Sequence, residues 1–191
     1  ARLDGLSPHE RRVVQDASVL GKKFTEAALS ALSGVAADEL EQLLSGLVRK
    51  ELFGLQQDPR SPEHGQYGFL QDLIRQVAYD TLSRRDRRAR HLAAAAYLAG
   101  PPDADVIAGV LATHYLDAIE SMPDAEDAEE LKEQAVAQLE LAAQHALAVG
   151  SPALALTYYA RLLDLDPSDQ VVIRAVHAAT DMTGRIGADL D

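Results

Sequence analysis

The sequence predicts a mainly helical fold in two modules, with a short β-hairpin in the first. Three observations carry this expectation. Alanine and leucine dominate the 191 residues and β-branched residues are few, a balance that favours helix over strand. Apolar residues recur at i, i+3 and i+4 through most of the chain. Charge divides unevenly. Residues 1–100 hold 14 Lys/Arg against 13 Asp/Glu, net +1; residues 101–191 hold 4 against 17, net −13; the sum is −12. Such a shift marks two modules, 1–100 and 101–191, with a boundary expected at Gly100-Pro101-Pro102.

Within the first module, Leu6-Ser7-Pro8-His9-Glu10 begins a helix. Ser7 serves as N-cap, Pro8 takes the first helical position, and Glu10 completes a capping box. The helix runs through Val13, Val14, Ala17 and Leu20 and stops at Gly21. A second is expected from Thr25 to Leu32, closed by Ser33-Gly34. A third starts at Asp38-Glu39-Leu40 and carries a stripe of Leu40, Leu43, Leu44, Leu47 and Val48. Leu52–Gln56 and Gln66–Phe69 read as two strands around a turn-rich loop with Pro59, Pro62 and Gly65. Three helices followed by such a wing make a winged-helix-like module. Beyond the wing a helix over Leu70–Leu82 is expected to turn Leu73, Ile74, Val77, Ala78 and Leu82 to one face. The basic run Arg84, Arg85, Arg87, Arg88 and Arg90 then leads into a helix over Leu92–Leu98.

In the second module the spacing predicts helices over Asp105–Ile119, Ala125–Val149, Pro152–Leu165 and Ser168–Met182. An acidic connector, Glu120–Glu130, breaks at Met122-Pro123-Asp124. Gly150 ends the long helix, and Ser151-Pro152 restarts the chain with a serine cap. Asp166-Pro167 ends that helix, and Gly184–Asp191 is expected to fray.

Composition removes several function classes. The chain has no cysteine, which excludes disulfides, thiol catalysis and zinc-thiolate sites and fits a reducing cytoplasm. It has no tryptophan and only 5% aromatic residues, against an aromatic-lined cofactor pocket. No apolar run nears the roughly 20 residues of a membrane span, and the start has no signal-peptide pattern. Opening on Ala1-Arg2-Leu3 rather than methionine points to a piece of a longer protein. The phosphate-binding pattern G-x-x-x-x-G-K-[ST] is missing, since Gly21-Lys22-Lys23 lacks the earlier glycine and the hydroxyl.

No cofactor or metal is expected. His9, His64, His91, His114, His145 and His177 show no metalloprotease spacing. Asp124, Glu126, Asp127, Glu129 and Glu130 lack an EF-hand's alternation and central glycine, and read as a solvated turn and helix start. His114 beside Tyr115, in an apolar helical setting, reads as a buried hydrogen-bonded pair with a structural role. The arginine cluster is the sharpest functional candidate. Arg84, Arg85, Arg87, Arg88 and Arg90 can neutralise phosphates, or face solvent, or pair with the acidic half. A groove-reading helix would be Asp38–Lys50; its leading Asp38, Glu39 and Glu41 oppose phosphate.

The segment Tyr67–Leu82, with Leu73-Ile74-Arg75 and Val77-Ala78-Tyr79, resembles a motif that follows the ATPase core in bacterial multidomain signal-transduction ATPases. These include LuxR-type transcriptional activators and proteins fused to class III adenylate or guanylate cyclases. Leu70 and Gln71 stand where arginine and histidine are usual. Leu3–Val14, Ala17–Phe24 and Leu111–Tyr115 are similar to the same family. Leu139–Pro167 resembles one tetratricopeptide repeat, with Ala142, Ala143 and Ala146 on its first helix, Gly150 at the turn, Ala155 and Tyr159 on its second, and Pro167 closing it. Leu139 replaces the usual early aromatic. Flanking helices must cover such a unit.

The resemblance implies a non-catalytic regulatory fragment. Its winged-helix-like module would couple an upstream nucleotide-binding core of the same parent chain to helical repeats that sense a protein or small-molecule inducer. It also implies that the arginine helix packs on the module core. A DNA-binding winged-helix transcription factor module is the alternative, and an enzyme ranks last, because no nucleophile–base arrangement is evident.

Overall fold

Local capping chemistry sets the start of the chain. In the computed structural model, which describes residues 3–100 and 104–188, helix α1 (Pro8–Leu20) opens on the expected capping box. Glu10 N donates to Ser7 Oγ at 3.2 Å and Ser7 N to Glu10 Oε2 at 2.9 Å. The Glu10 carboxylate also receives Lys50 Nζ at 2.7 Å, tying the start of α1 to the end of α3 (Ala37–Arg49). Between them lie β1 (Lys23–Phe24) and α2 (Glu26–Ser33), capped by Thr25 Oγ1 and closed by Gly34 at φ 66°. Only glycine adopts such a left-handed backbone without strain.

The chain forms two compact units, Ala1–Tyr97 and Leu98–Asp191. The first unit's core joins Val13, Val14 and Ala17 of α1 to Leu29 of α2 and Leu40, Leu44 and Leu47 of α3, all fully buried. The stripe predicted on α3 is therefore its packing face, with Leu43 and Val48 on its margin.

β2 (Phe53–Leu55) and β3 (Tyr67–Phe69) form the expected antiparallel pair, with Phe53 opposite Phe69 and Leu55 opposite Tyr67. A hairpin alone was expected. The sheet has a third strand, β1, paired to the other edge of β3 in the order β1-β3-β2. The cause lies in the side chains. Phe24 of β1 packs against Phe53 at 5.2 Å and Phe69 and Tyr67 at 6.1 Å, centroid to centroid. Edge-to-face rings at such spacings attract beyond their area burial.

Helix α4 (Asp72–Asp80) is shorter than predicted, and its expected apolar face is split. Ile74 and Ala78 are buried in the core, and Leu82 is buried just beyond the helix. Leu73 is 69% exposed and Val77 42%, with Leu70 beside them at 57%. Leu73 and Val77 lie about 100° around the helix from Ile74 and Ala78, too far to share their contact. The basic run and the following helix are one element, α5 (Arg84–Leu98). Ser83 caps it: Asp86 N donates to Ser83 Oγ at 3.1 Å, and Ser83 Oγ to Asp86 Oδ2 at 2.7 Å.

The second unit is a row of four helices: α6 (Ala104–Ser121), α7 (Ala128–Ala148), α8 (Pro152–Leu165) and α9 (Asp169–Ala188). α7 packs between α6 and α8, and α9 packs on α8. Leu139, Ala143, Ala146, Ala155, Tyr159 and Leu162 form the centre of its core. Small residues let the helices approach closely. At Gly109 of α6 an added Cβ would stand 2.4 Å from Tyr158 Oη. Ser151 precedes α8 but makes no side-chain cap hydrogen bond; Pro152 opens the helix without it. α9 continues helically through Gly184 to Ala188 instead of fraying there, and 189–191 lie outside the described residues, as do Pro101 and Pro102 of the expected boundary.

Candidate functional site

The arginine cluster of α5 turns part of itself inward. Arg90 Nε donates to Asp16 Oδ1 of α1 at 2.5 Å, and the Asp16 side chain is only 3% exposed. Arg90 NH1 also lies 3.6 Å from Asp86 Oδ1. Burial pushes the Asp16 carboxyl above the ordinary aspartate value, opposed by the hydrogen bond and charge of Arg90 and by Arg12. A carboxylate this deep is tolerated only with a cation held on it. The partner thus comes from α1 of the same unit and not from the acidic half.

Arg87 lies over the Tyr79 ring at 4.6 Å from its centroid and donates to the Asp80 carbonyl at 3.1 Å. A guanidinium on an aromatic face gains cation–π attraction. The Tyr79 hydroxyl in turn shares a 2.9 Å hydrogen bond with Nε2 of buried His91. Arg88 is half-buried, and Arg84 and Arg85 are exposed. Of the five predicted residues, then, Arg87 and Arg90 join α5 to α4 and α1, and Arg84 and Arg85 face solvent at the start of α5.

Sequence reasoning missed Asp16, Tyr79 and His91. Asp16 had left a signal. It lies between Val14 and Ala17 on the stripe that buries α1, where an acid demands a cation from elsewhere. That cation is 74 positions away and periodicity cannot find it.

The remaining nucleic-acid candidate is the outward face of α3. Asp38, Glu39, Glu41, Gln42, Ser45 and Arg49 are on or beside it, and all six are exposed. Lys50, the next cation, is held by Glu10. His9 Nδ1 stands 3.4 Å from Glu39. Three carboxylates against Arg49 give this face the wrong sign for phosphate.

In the second unit a polar cluster joins α6 and α8. Arg161 NH1 donates to Thr113 Oγ1 at 3.0 Å, and Thr113 Oγ1 donates to the Gly109 carbonyl at 2.9 Å. His114 is buried, and desolvation holds its imidazole down to about 4. It is neutral at physiological pH. Burial and Glu120 raise the neighbouring Asp117 carboxyl, with Arg161 opposing them. The sequence pointed to His114 and Tyr115 and did not single out Thr113, Asp117 or Arg161 as partners in a site.

Among the described residues no group of three or more His, Asp or Glu side chains is placed to hold a metal ion, and no helix is long and apolar enough to cross a membrane. No protein-family model, no curated protein and no solved structure matches the chain. The fold itself defines a mainly helical protein of two units with a small antiparallel sheet.

Proposed function

We propose that the chain is a non-catalytic regulatory, protein-interaction fragment of a larger bacterial signalling ATPase, either a transcriptional regulator or one linked to a nucleotide cyclase. Its first unit acts as a winged-helix-like coupling module. Its second acts as a tetratricopeptide-like sensor for a protein or small-molecule inducer. The upstream nucleotide-binding core of the parent chain is the module's partner.

One observation carries this reading: Arg90 is held on buried Asp16. That arginine shapes the module's interior and is withdrawn from a phosphate backbone. The acidic outward face of α3 points the same way. The row α6–α9, acidic and built from consecutive helical contacts, suits a scaffold that binds along its length.

Fluorescence anisotropy of a labelled random-sequence duplex tests it, at low and moderate salt, with Arg84→Glu/Arg85→Glu as the charge-reversed control. No binding at low salt is the expected result. Salt-sensitive binding at micromolar or tighter levels, weakened by the reversal, would replace this reading with the DNA-binding one. A Walker motif encoded upstream in the parent gene is the second expectation.

A further inference from the structure

In the second unit, α9 has two apolar faces. Val171 and Ala178 are buried in the core of the row, and Ala175 packs against it. Val172, Ile173 and Val176 are 43%, 53% and 55% exposed. With 3.6 residues per turn, the exposed three centre roughly 140° around the helix from the packed three. A helix at the edge of a core needs one apolar stripe. The second stripe is what a helix carries when it is flanked on both sides.

The row itself identifies this face. Glu140 of α7 and Arg174 of α9 are 34 positions apart and joined at 2.9 Å. A shift of that size therefore carries α7 onto α9 at the same height, and about 34 residues is the period of a helix-hairpin repeat. Under the shift Leu139, Ala142, Ala143 and Ala146 become Ile173, Val176, His177 and Thr180. On α7 all four are buried. Leu139, Ala143 and Ala146 share a core cluster with Ala155, Tyr159 and Leu162 of α8. On α9 all four counterparts are exposed. The face that α8 helps to bury on α7 is thus the one left open on α9. It is apolar at Ile173 and Val176 and polar at His177 and Thr180. Gly150 has a counterpart too, Gly184, but α9 runs on through it to Ala188, so a following turn falls later than a strict period puts it.

We propose that this face seats one further amphipathic helix, supplied by the parent chain after α9 and lying on α9 as α8 lies on α7, with its apolar side on Ile173 and Val176. The helix that closes such a row needs a polar outer side, which Val172, Ile173 and Val176 do not give α9. A second copy of the chain is the poorer occupant, because residues 101–191 carry a net charge of −13 and two such units repel. The inference rests on the reading of the second unit as a tetratricopeptide-like row within a longer chain, and not on the role given to the first unit.

The chain has no cysteine, so Val176→Cys sets a single thiol on the face. Its rate of labelling by a small maleimide is compared between the 191-residue chain and the chain extended by the next stretch its gene encodes, roughly one further period, with any cysteine there changed to serine. Labelling should slow at least about tenfold in the extended chain, since the thiol then reacts only when the covering helix opens. Val149→Cys, 63% exposed elsewhere in the unit, should react alike in both. Ile173→Glu gives an independent reading. On an open surface it should lower the unit's melting temperature by less than about 4 °C; under a covering helix it buries a charge and should lower it by at least about 8 °C. Circular dichroism establishes that each variant is folded, and Ile173→Cys replaces Val176→Cys if that variant is not. A thiol equally reactive in the two chains overturns the proposal. So does protection shared by Val149→Cys, an Ile173→Glu shift equal in both chains, or a gene that ends too soon after α9 to encode a helix. None of these results bears on the coupling role of the first unit, which DNA binding and the upstream sequence decide.

Discussion

Replacing Arg90 by methionine removes the cation from buried Asp16 while keeping most of the length of the side chain. The structure sets the scale of the loss. Asp16 is 3% exposed and Arg90 18%, so the pair is largely desolvated. Removing one member of such a pair costs about 3–5 kcal/mol. Asp16 has an escape, however: it takes up a proton. Its ordinary value is 3.8, so protonation at pH 7 costs about 4 kcal/mol and caps the loss. With Arg12 still 4.0 Å from Asp16 Oδ2, we expect about 3 kcal/mol, or roughly 12–24 °C in the first unit's melting temperature.

The sign with pH follows. The folded-state carboxyl titrates above its unfolded value, so the native state binds more protons between the two. The penalty is fully present above the raised value and relieved as pH falls through it. Urea unfolding followed by circular dichroism at pH 7 and pH 4.5 is the assay. The gap between wild type and Arg90→Met should narrow at the lower pH. A loss under about 0.5 kcal/mol at pH 7, or a gap that does not narrow, would show that Asp16 is solvated and refute the inward role of the arginine helix.

Three further expectations concern the second unit and the first helix. His114 titrates near 4 when folded and near 6.5 when unfolded, so only the unfolded chain binds its proton in that window. Its stabilisation, complete above about 6.5, is lost as pH falls, by about 2 kcal/mol between pH 7.5 and 5; denaturant titrations should show this slope and His114→Gln should remove it. Gly109→Ala should destabilise by about 1–3 kcal/mol through Tyr158 Oη, and in a Tyr158→Ala background become neutral or favourable, since alanine is the better helix former. Ser7→Ala should cost about 1 kcal/mol through loss of the α1 cap, measured by the urea midpoint.

The helices were legible where they carry local punctuation. Ser7-Pro8-Glu10, Thr25, Gly34 and Gly150 act within a turn of their own position, so composition and spacing reveal them. β1 was hidden because a two-residue strand has no period; only the aromatic contact of Phe24 creates it. The face of α4 was misjudged for a related reason. Leu73/Val77 and Ile74/Ala78 are both i, i+4 pairs, and the sequence does not say which one the core takes. Of the site, the arginines were visible as a run, but composition and spacing did not give their direction, which only the resemblance implied. That direction depends on Asp16 and Tyr79, brought to α5 by tertiary folding.

Glu10 has a consequence for the order of folding. Its carboxylate closes the cap of α1 and receives Lys50 from forty positions away. Once the local turn forms, the acceptor for the distant lysine is already oriented, so part of the ordering entropy of that loop closure has been met in advance. A chain lacking this carboxylate would slow in refolding more than it would hasten in unfolding.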